Sequence, residues 1–492
     1  CVFSAEMIQY SETLFPNGGA ALKQATTRIS PEEIARQKDF CARVAAMNAP
    51  LPTPPLAFVD TYGCQQNEAD SERIRGYLAE MGYGFTDDER TAAVVVINTC
   101  AVREHAEQRV LGNVGALTHT KRCNPNQIIC LCGCMMQEPH NVEKVRRSFR
   151  HVDLVFGPHA MWRFPELLWR IQTRRGRIFD TPDEAGSIAE GMPVRRQGSI
   201  RAWVSIMYGC NNFCSYCIVP YVRGRERSRD PEDILSEVRE LAAAGYKDIT
   251  LLGQNVNSYG RDLDADVDFA WLLEQVNAVP GDFLIRFMTS HPKDASERLF
   301  DAMARCEKVA PHLHLPFQAG NDRVLTAMNR GYTREHYLGL VRSLRERVPD
   351  IVLTSDIIVG FPGETTAEFE DTLTVLREVE FDALFTFLYS PREGTPAARL
   401  PDPLSKEEKA ANFQRLVDLQ NEISAKKQQG YVGRTLRCLV DEPSDDPRHN
   451  LNARTAGGRL VHLTGDPALL GQFVDLKITG ASTWTLFGEP AE

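Results

Sequence analysis

Apolar residues recur along this chain with two alternating periods. Short, nearly continuous apolar runs bounded by turn residues predict buried strands, whereas an apolar residue at every third or fourth position predicts a helix. In the first half of the chain the predicted strands are 57–62, 92–98 and 127–132, and the predicted helices are 70–81 and 103–117. Because strands that alternate with helices form parallel sheets covered by helices, we expect an α/β domain over residues 56–180.

A helical extension precedes this domain. Ser30 has the side chain of an N-cap, and Pro31 suits the first position of a helix. Glu33 completes a capping box, so a helix is predicted from there to about Met47. Four prolines between positions 50 and 55 cannot continue the helix and stiffen the connection. Residues 1–55 are therefore interpreted as a helical extension with a proline-rich linker.

The alternation of strands and helices resumes after residue 194. A strand is predicted at 202–207, and a helix is predicted to begin at Asp230-Pro231 and to end near Gly245. Five further strands are predicted to begin at Asp248, Leu284, His312, Val352 and Leu384, and a capping box at Thr365 and Glu368. Six strands separated by helices predict an incomplete (β/α)6 parallel barrel over residues 195–427. In such folds the functional groups collect at the C-terminal ends of the strands.

The pattern changes again near residue 430. Short runs at 435–440, 459–463 and 473–478 are separated by Gly, Asp, Pro and Asn. Runs of this length bounded by turn residues are typical of antiparallel strands. We expect a small all-β domain over residues 428–492.

Composition and charge narrow the classes of partner. The hydrophobic content of 43% and the charged content of 25% are typical of a globular protein. The net charge of -10 argues against indiscriminate binding of nucleic acid, which requires Lys and Arg on the contacting face. A local basic surface is still possible, and the candidate is the run Arg223, Arg225, Arg227 and Arg229. The alternative for this run is an ordinary solvated face.

The cysteines indicate a reducing compartment. Thirteen cysteines in 492 residues are too few and too clustered for a disulfide scaffold. No apolar run approaches the roughly 20 residues of a membrane helix, and the first residues lack the apolar core of a signal peptide. We expect a cytoplasmic protein that does not associate with membranes.

One cysteine loop carries the strongest chemical signal. Cys210, Cys214 and Cys217 follow a predicted strand and are separated by three and two residues. Thiolates at this spacing suit zinc or iron-sulfur binding, but a closed zinc site requires a fourth ligand that the loop does not contain. A four-iron cluster with one iron free of protein ligands fits better, and a zinc knuckle is the alternative.

The loop, with Tyr216 before its last cysteine, resembles the signature of the radical S-adenosylmethionine superfamily. Three further motifs resemble the N-terminal motifs of the methylthiotransferase family, namely TYGCQQN at 61–67, NTCAVRE at 98–104 and GCM at 133–135. Segments 209–229 and 252–259 resemble the branch of that family that acts on dimethylallyl-adenosine in tRNA. The resemblance extends over roughly residues 56 to 490.

Cys64, Cys100 and Cys134 lie in these N-terminal motifs. Taken singly, each would be interpreted as a buried or idle thiol. Each follows a predicted strand, however, so the three could converge at one edge of a parallel sheet as a second three-thiolate site. The resemblance implies a second 4Fe-4S cluster that carries the donated sulfur. Cys130 and Cys132 are interpreted as packing residues, and no role is assigned to Cys1, Cys41, Cys123, Cys306 or Cys438.

Candidate contacts to S-adenosylmethionine lie near the predicted strand ends. The resemblance implies that Gly253 and Gln254 hold its amino group and that the segment with Gly360 and Glu364 lines its adenosine part. The other candidates are Tyr216, Ser290, Gln318 and Arg330. Plain turns, helix caps and surface positions are the alternatives for these residues.

The resemblance implies a specific enzymatic reaction on tRNA. Two 4Fe-4S clusters and S-adenosylmethionine would replace a hydrogen on carbon 2 of dimethylallyl-adenosine beside the anticodon with a methylthio group. The C-terminal domain resembles the TRAM domain, which is implied to hold tRNA. The other implied partners are a flavodoxin or ferredoxin as electron donor and a sulfur supply system, and we expect a monomer.

Other functions stay open at this stage. The same chemistry could act on threonylcarbamoyl-adenosine in tRNA or on a ribosomal protein. A non-catalytic iron-sulfur RNA-binding regulator would require the clusters but no cofactor pocket, and the glycine-rich strand ends argue against it. A radical enzyme of tetrapyrrole metabolism would not require the three N-terminal cysteine motifs.

Overall fold

A computed structural model describes residues 28–101, 104–174, 176–182 and 187–491. Residues 1–27 of the predicted extension, with Cys1, and Val102 and Arg103 of the second motif lie outside the described residues. Along the described chain a helix, an α/β domain, an open parallel barrel and a small closed barrel follow one another. None of its helices is long and apolar enough to cross a bilayer.

Helix α1 covers Pro31–Asn48, in agreement with the predicted start. The Ser30 side chain accepts a hydrogen bond from the backbone N–H of Glu33 at 3.3 Å, which satisfies one of the free donors at the helix end. Phe40 and Val44 are buried against the α/β domain, where Phe40 lies 5.2 Å from the ring of Trp169. The extension therefore packs on the next domain through its apolar face.

The α/β domain is one six-stranded parallel sheet with the order β2-β1-β3-β4-β5-β6. Its elements are β1 Leu56–Thr61, α2 Gln65–Glu80, β2 Gly84–Phe85, β3 Val94–Thr99, α3 Glu104–Cys123, β4 Ile128–Gly133, α4 Pro139–Ser148, β5 Leu154–Phe156, α5 Phe164–Thr173 and β6 Ile178–Asp180. Every residue of β3 is buried, as expected for a central parallel strand with helices on both faces. The three predicted strands are confirmed, whereas β2, β5 and β6 have only two or three residues and were not predicted.

The open barrel consists of two three-stranded parallel sheets, β11-β10-β7 and β12-β13-β14. Its elements are β7 Arg201–Ser205, β8 Met207–Tyr208, α6 Val219–Arg223, β9 Arg227–Ser228, α7 Pro231–Ala243, β10 Asp248–Leu252, α8 Phe269–Ala278, β11 Leu284–Phe287, α9 Glu297–Arg305, β12 His312–His314, α10 Asp322–Ala327, α11 Arg334–Arg347, β13 Val352–Val359, α12 Thr366–Val379, β14 Ala383–Leu388 and α13 Lys406–Gln429. An isolated parallel bridge between Ile285 and Val309 joins the two sheets. The predicted strand starts and the capping box of Thr365 and Glu368 are confirmed.

The C-terminal domain is a closed five-stranded barrel with the order β15-β16-β17-β19-β18. Its strands are β15 Thr435–Pro443, β16 Leu451–Thr455, β17 Leu460–Leu463, β18 Phe473–Ala481 and β19 Leu486–Pro490. It docks on the open barrel, where Arg286 donates to the Ala456 carbonyl at 2.7 Å and Arg459 pairs with Asp382. The predicted fold class, α/β domain, incomplete parallel barrel and small β-barrel, is confirmed.

Candidate functional site

The first cysteine triad lies in the loop between β8 and α6. Gly209, just before Cys210, has φ of 78°, and a Cβ atom there would collide with the carbonyl oxygen of Arg225. The backbone N–H of Cys210 donates to the Gly224 carbonyl at 3.1 Å, and that of Cys217 donates to the Cys214 carbonyl at 2.9 Å. Only glycine permits this approach of the loop to the segment before β9, so the backbone itself shapes the triad.

Arg330 connects this triad to the predicted cofactor residues. Its Nη1 lies 3.3 Å from Cys214 Sγ and 3.4 Å from the Tyr216 hydroxyl oxygen, and it donates to both. Its Nη2 donates to the Pro316 carbonyl at 2.7 Å, which fixes the guanidinium. His291 Nε2 lies 4.0 Å from Cys214 Sγ. Arg330 therefore lies directly at the cysteine loop, of which Tyr216 is a part.

Burial controls the protonation of the groups around this loop. It raises the pKa of the Cys210 and Cys217 thiols to about 12. Burial and, next, the charge of Arg330 hold the pKa of His291 far below its ordinary value. These thiols are therefore neutral at pH 7 unless a cation bonds to their sulfur, and His291 is a neutral neighbour.

Two side chains that follow strands of the open barrel have buried polar atoms without a hydrogen-bond partner among the described residues. Ser290 follows β11 and Gln318 follows β12, and both residues are buried. Within the described part of the chain, Ser290 Oγ and Gln318 Oε1 have no hydrogen-bond partner. Gln318 also has φ of 70°, which is uncommon for a residue with a side chain. Because buried polar atoms are normally paired, these two atoms fit a polar ligand at the C-terminal ends of the strands.

The other predicted cofactor residues contact neighbouring groups of the protein. A Cβ atom on Gly253 would collide with the Met207 side chain, and Gln254 Oε1 accepts a hydrogen bond from the Gly209 N–H. Glu364 is buried and its Oε2 accepts from the Gly360 N–H at 2.7 Å. Burial raises the pKa of Glu364 to about 7, although that hydrogen bond opposes the rise.

The second cysteine triad follows three neighbouring parallel strands. Cys64 comes after β1, Cys100 comes after β3 and Cys134 comes after β4. The registers pair Thr61 with Asn98 and Thr99 with Gly133, so the three strands end at the same edge of the sheet. Cys100 and Cys134 are buried, whereas Cys64 is exposed.

Two asparagines join the loops that carry this triad. Asn67 Nδ2 donates to Asn98 Oδ1 and to the Thr99 carbonyl, both at 3.1 Å. Asn98 Nδ2 in turn donates to the Asn67 carbonyl at 2.8 Å. Both side chains are fully buried. In the sequence both asparagines are visible only as members of the motifs, because their hydrogen-bond partners are more than 30 residues away along the chain.

Two of the four arginines in the predicted basic run are buried rather than on the surface. Arg223 is 5% exposed and Arg229 is 4% exposed. Arg229 pairs with Glu190 at 2.6 Å and with Glu237 at 2.8 Å. For these two residues both interpretations, the basic surface and the solvated face, are wrong, because carboxylates distant in sequence compensate the buried charges.

Arg223 contacts the second triad. Its Nε donates to Cys134 Sγ at 3.0 Å, and its Nη2 lies 2.7 Å from Asp70 Oδ2. Burial raises the pKa of the Cys134 thiol to about 12, and the charge of Arg223 acts in the opposite direction. A cavity of about 530 Å³ borders Arg223 and Asp70, and its lining includes none of the six cysteines.

The donor sets of both triads fit iron-sulfur clusters. Each offers three thiol groups, the ligand type that such clusters use. Within the described residues, no three Cys, His, Asp or Glu side chains are arranged to hold a single metal ion. A four-iron cluster bonds each thiolate to a different iron, so its ligands surround a volume rather than a point.

The remaining cysteines differ in environment. Cys130 and Cys132 are fully buried in the core of the α/β domain, as packing residues are. Cys41, Cys306 and Cys438 are buried and Cys123 is exposed.

Three known families match successive parts of the chain. The radical SAM superfamily matches residues 204–376, the uncharacterized protein family UPF0004 matches residues 57–157, and the TRAM domain matches residues 429–491. Each matched range falls in a different one of the three domains described above.

Curated proteins match over nearly the whole length. A tRNA-2-methylthio-N(6)-dimethylallyladenosine synthase of Alkaliphilus oremlandii is 49% identical over 467 residues, which cover 95% of this chain and 99% of that protein. The synthase of the same name from Clostridium novyi is 50% identical over 432 residues, covering 88% of this chain and 96% of that protein.

Among solved structures, the radical S-adenosylmethionine methyltransferase TsrM from Kitasatospora setae superposes with a TM-score of 0.52 at 17% identity. The superposition covers 70% of this chain and 75% of TsrM. At this identity the likeness concerns the fold alone.

Proposed function

The chain belongs to the family of tRNA-2-methylthio-N(6)-dimethylallyladenosine synthases, and from this premise we propose how its residues carry out the family's reaction. The enzyme is a radical SAM methylthiotransferase that converts dimethylallyl-adenosine beside the anticodon of tRNA to its 2-methylthio derivative. The observation that carries this function is 49% identity over 95% of the chain, and both cysteine triads lie within the ranges that the family models match. The family predicted from the motifs is thereby confirmed.

The first triad would hold the cluster that binds S-adenosylmethionine. Cys210, Cys214 and Cys217 supply three ligands, and the unpaired atoms of Ser290 and Gln318 supply polar contacts at the neighbouring strand ends. When bound, this cluster supplies the single electron that cleaves the sulfonium of the cofactor. The protein's part is to hold the cofactor in a fixed orientation at the loop.

Arg330 would bind the carboxylate of the cofactor. Within the described part of the chain it has no carboxylate partner, and its hydrogen bonds go to a thiol, two phenols and a carbonyl. Its guanidinium can therefore donate a charge-assisted hydrogen bond to the carboxylate of the cofactor. Gly253 and Gly360 would let the backbone approach the cofactor closely, and the side chains of Gln254 and Glu364 would hold the loops around it through their bonds to Gly209 and Gly360.

The second triad would hold the cluster that carries the sulfur to be donated. Cys64, Cys100 and Cys134 end neighbouring strands, and α6 brings the loop of the first triad against Cys134. The closeness of the two triads supports a division of labour, because a sulfur atom must meet the activated carbon within a few Å.

The remaining partners follow from this reaction. The substrate is tRNA, and the closed C-terminal barrel would hold it through the shape of the RNA rather than through a uniform positive field. A flavodoxin or ferredoxin would supply electrons, and a cellular sulfur system would restore the second cluster. We place the enzyme in the cytoplasm as a monomer.

Mass spectrometry of tRNA nucleosides tests the function. A strain that lacks the gene should lose 2-methylthio-adenosines, and complementation with the intact gene should restore them. Complementation with the Cys214→Ala variant provides the matched control and should leave only the unmodified precursor. Unchanged 2-methylthio-adenosines in the deletion strain would contradict the proposal.

A further inference from the structure

The end of α6 contacts both cysteine triads through two consecutive residues. The Arg223 side chain donates to Cys134 Sγ at 3.0 Å. The carbonyl of the next residue, Gly224, accepts a hydrogen bond from the Cys210 N–H at 3.1 Å. Gly224 has φ of 76°, which lets the backbone turn at this point. One short segment is therefore bonded to a cysteine of each triad.

A buried counter-charge holds Arg223 in this position. Asp70 is 3% exposed and lies on α2, the helix that begins directly after Cys64. Its Oδ2 is 2.7 Å from Arg223 Nη2. A buried ion pair gains little net stability, because removing both charges from water costs about as much as their attraction returns. Geometry is thus a better explanation for this pair than stability.

The pair continues into a polar chain between the two domains. Gln66 Nε2 lies 3.4 Å from Asp70 Oδ1 and 2.9 Å from Ser205 Oγ, at the end of β7. On the other side, Ile218 and Val222 of the α6 region pack against Ala101 and Cys134. The orientation of Arg223 is therefore fixed by polar contacts on one side and by apolar contacts on the other.

From these contacts we propose that Arg223 is a positioning residue that fixes the relative placement of the two triads and sets the charge beside the second, with Asp70 as its counter-charge. The inference rests on the proposed function, because it requires a cluster on Cys64, Cys100 and Cys134. An N–H donor with positive charge stabilises the more negative reduced cluster and raises its reduction potential. A nearby carboxylate does the opposite.

Reduction potentials of two variants test this assignment. The parent is the full-length protein in which Cys210, Cys214 and Cys217 are replaced by Ala, so that only the second cluster contributes to a redox titration followed by electron paramagnetic resonance. Arg223→Gln should lower the potential and Asp70→Asn should raise it. Each should change the ratio of reduced to oxidised cluster about tenfold at fixed potential, which is about 59 mV for a one-electron couple.

Two further variants separate charge from folding. Arg239→Gln removes an exposed arginine that pairs with Glu232 at 2.6 Å on α7, and its potential should equal that of the parent. Arg223→Lys keeps the charge but loses the planar guanidinium, so it should recover most of the shift. If the Arg223→Gln variant binds no iron, the proposal is tested by Asp70→Asn alone, whose reduction potential should rise.

The outcomes distinguish this inference from the proposed function. A parent without iron would refute the second cluster and the inference with it. A parent with iron whose potential stays unchanged, or moves in the same direction, in Arg223→Gln and Asp70→Asn would refute the inference alone. In the enzyme with both clusters, Arg223→Gln should also form several-fold more deoxyadenosine per methylthio product, because the two triads are no longer held in place.

Discussion

The two cysteine triads are built in opposite ways. Cys210, Cys214 and Cys217 belong to one loop, whereas Cys64, Cys100 and Cys134 follow three different strands. A loop triad is visible in the sequence as a fixed spacing. A strand-end triad becomes visible only when parallel strands bring distant residues to one edge of a sheet. The first site thus depends on local backbone geometry and the second on the whole α/β domain.

The two triads also differ in the charge beside them. Each has a buried arginine that donates to one sulfur, Arg330 to Cys214 and Arg223 to Cys134. Arg223 is paired with Asp70, but Arg330 contacts no carboxylate within the described residues. The charge of Arg223 is therefore balanced by a carboxylate of the protein, whereas that of Arg330 is not balanced by any carboxylate of the described residues.

The largest expected effect separates the two triads by function. Cys214→Ala should reduce deoxyadenosine formation and methylthio product to background, because one ligand of the first cluster is lost. Cys100→Ala should spare deoxyadenosine formation and abolish only the methylthio product. Both are measured by chromatography of reactions started with a chemical reductant. Persistent methylthio product from Cys100→Ala would contradict this division of labour.

Substitution of Arg330 tests the unpaired charge at the first site. Arg330→Gln removes a charged hydrogen bond worth about 1.5–3 kcal/mol, so the affinity for S-adenosylmethionine should fall about 10- to 100-fold. Equilibrium binding to the reconstituted protein measures it. Arg330→Lys is the matched control and should recover part of the affinity. Unchanged affinity in Arg330→Gln at full iron content would exclude a role in binding.

Substitution of Asn67 tests the dependence of the second site on long-range contacts. Asn67→Ala leaves Asn98 Oδ1 and the Thr99 carbonyl without their buried donor. The free energy of unfolding should fall by about 3 kcal/mol, and iron should be lost from the second triad first. Chemical denaturation and iron analysis measure these effects, with Asn452→Ala in the C-terminal barrel as control. Equal iron loss from both triads would show that Asn67 does not act on the second one selectively.

A smaller effect concerns buried carboxylates. Asp70 near the second triad is ion-paired, whereas Glu364 in the open barrel has no ion pair among the described residues. Burial raises the pKa of Glu364 from 4.5 to about 7, so the folded state holds a proton that the unfolded state has released between these values. The free energy of unfolding of the intact protein should therefore fall as the pH rises from about 4.5 to about 7.

The Glu364→Gln variant lacks the titrating carboxyl group and should not show this fall in the free energy of unfolding. Relative to the intact protein, the variant should gain about 3 kcal/mol of unfolding free energy between pH 4.5 and pH 7.5, because the shift contributes roughly 1.4 kcal/mol per pKa unit. Denaturant unfolding at both pH values measures it, and the exposed Glu335→Gln serves as control. A difference that does not change with pH would contradict the raised pKa.

The sequence predicted the order of the domains and their longer strands, but not the short strands or the buried ion pairs. Strand β3 was found because its apolar run is nearly continuous, and β5 and β6 were missed because three residues carry no period. The burial of Arg223 and Arg229 was missed for a different reason. Their compensating carboxylates, Asp70 and Glu190 among them, lie in other elements, and no local pattern in the sequence indicates such a pairing.

The proposed mechanism requires two separate clusters in this chain, one on each triad. Iron and sulfide analysis after anaerobic purification tests it most directly, in the intact protein and in two variants that each replace one triad with alanine. We expect about eight irons in the intact protein and about four in each variant. Loss of all iron from either variant, a count of about four in the intact protein, or zinc in place of iron would contradict this mechanism.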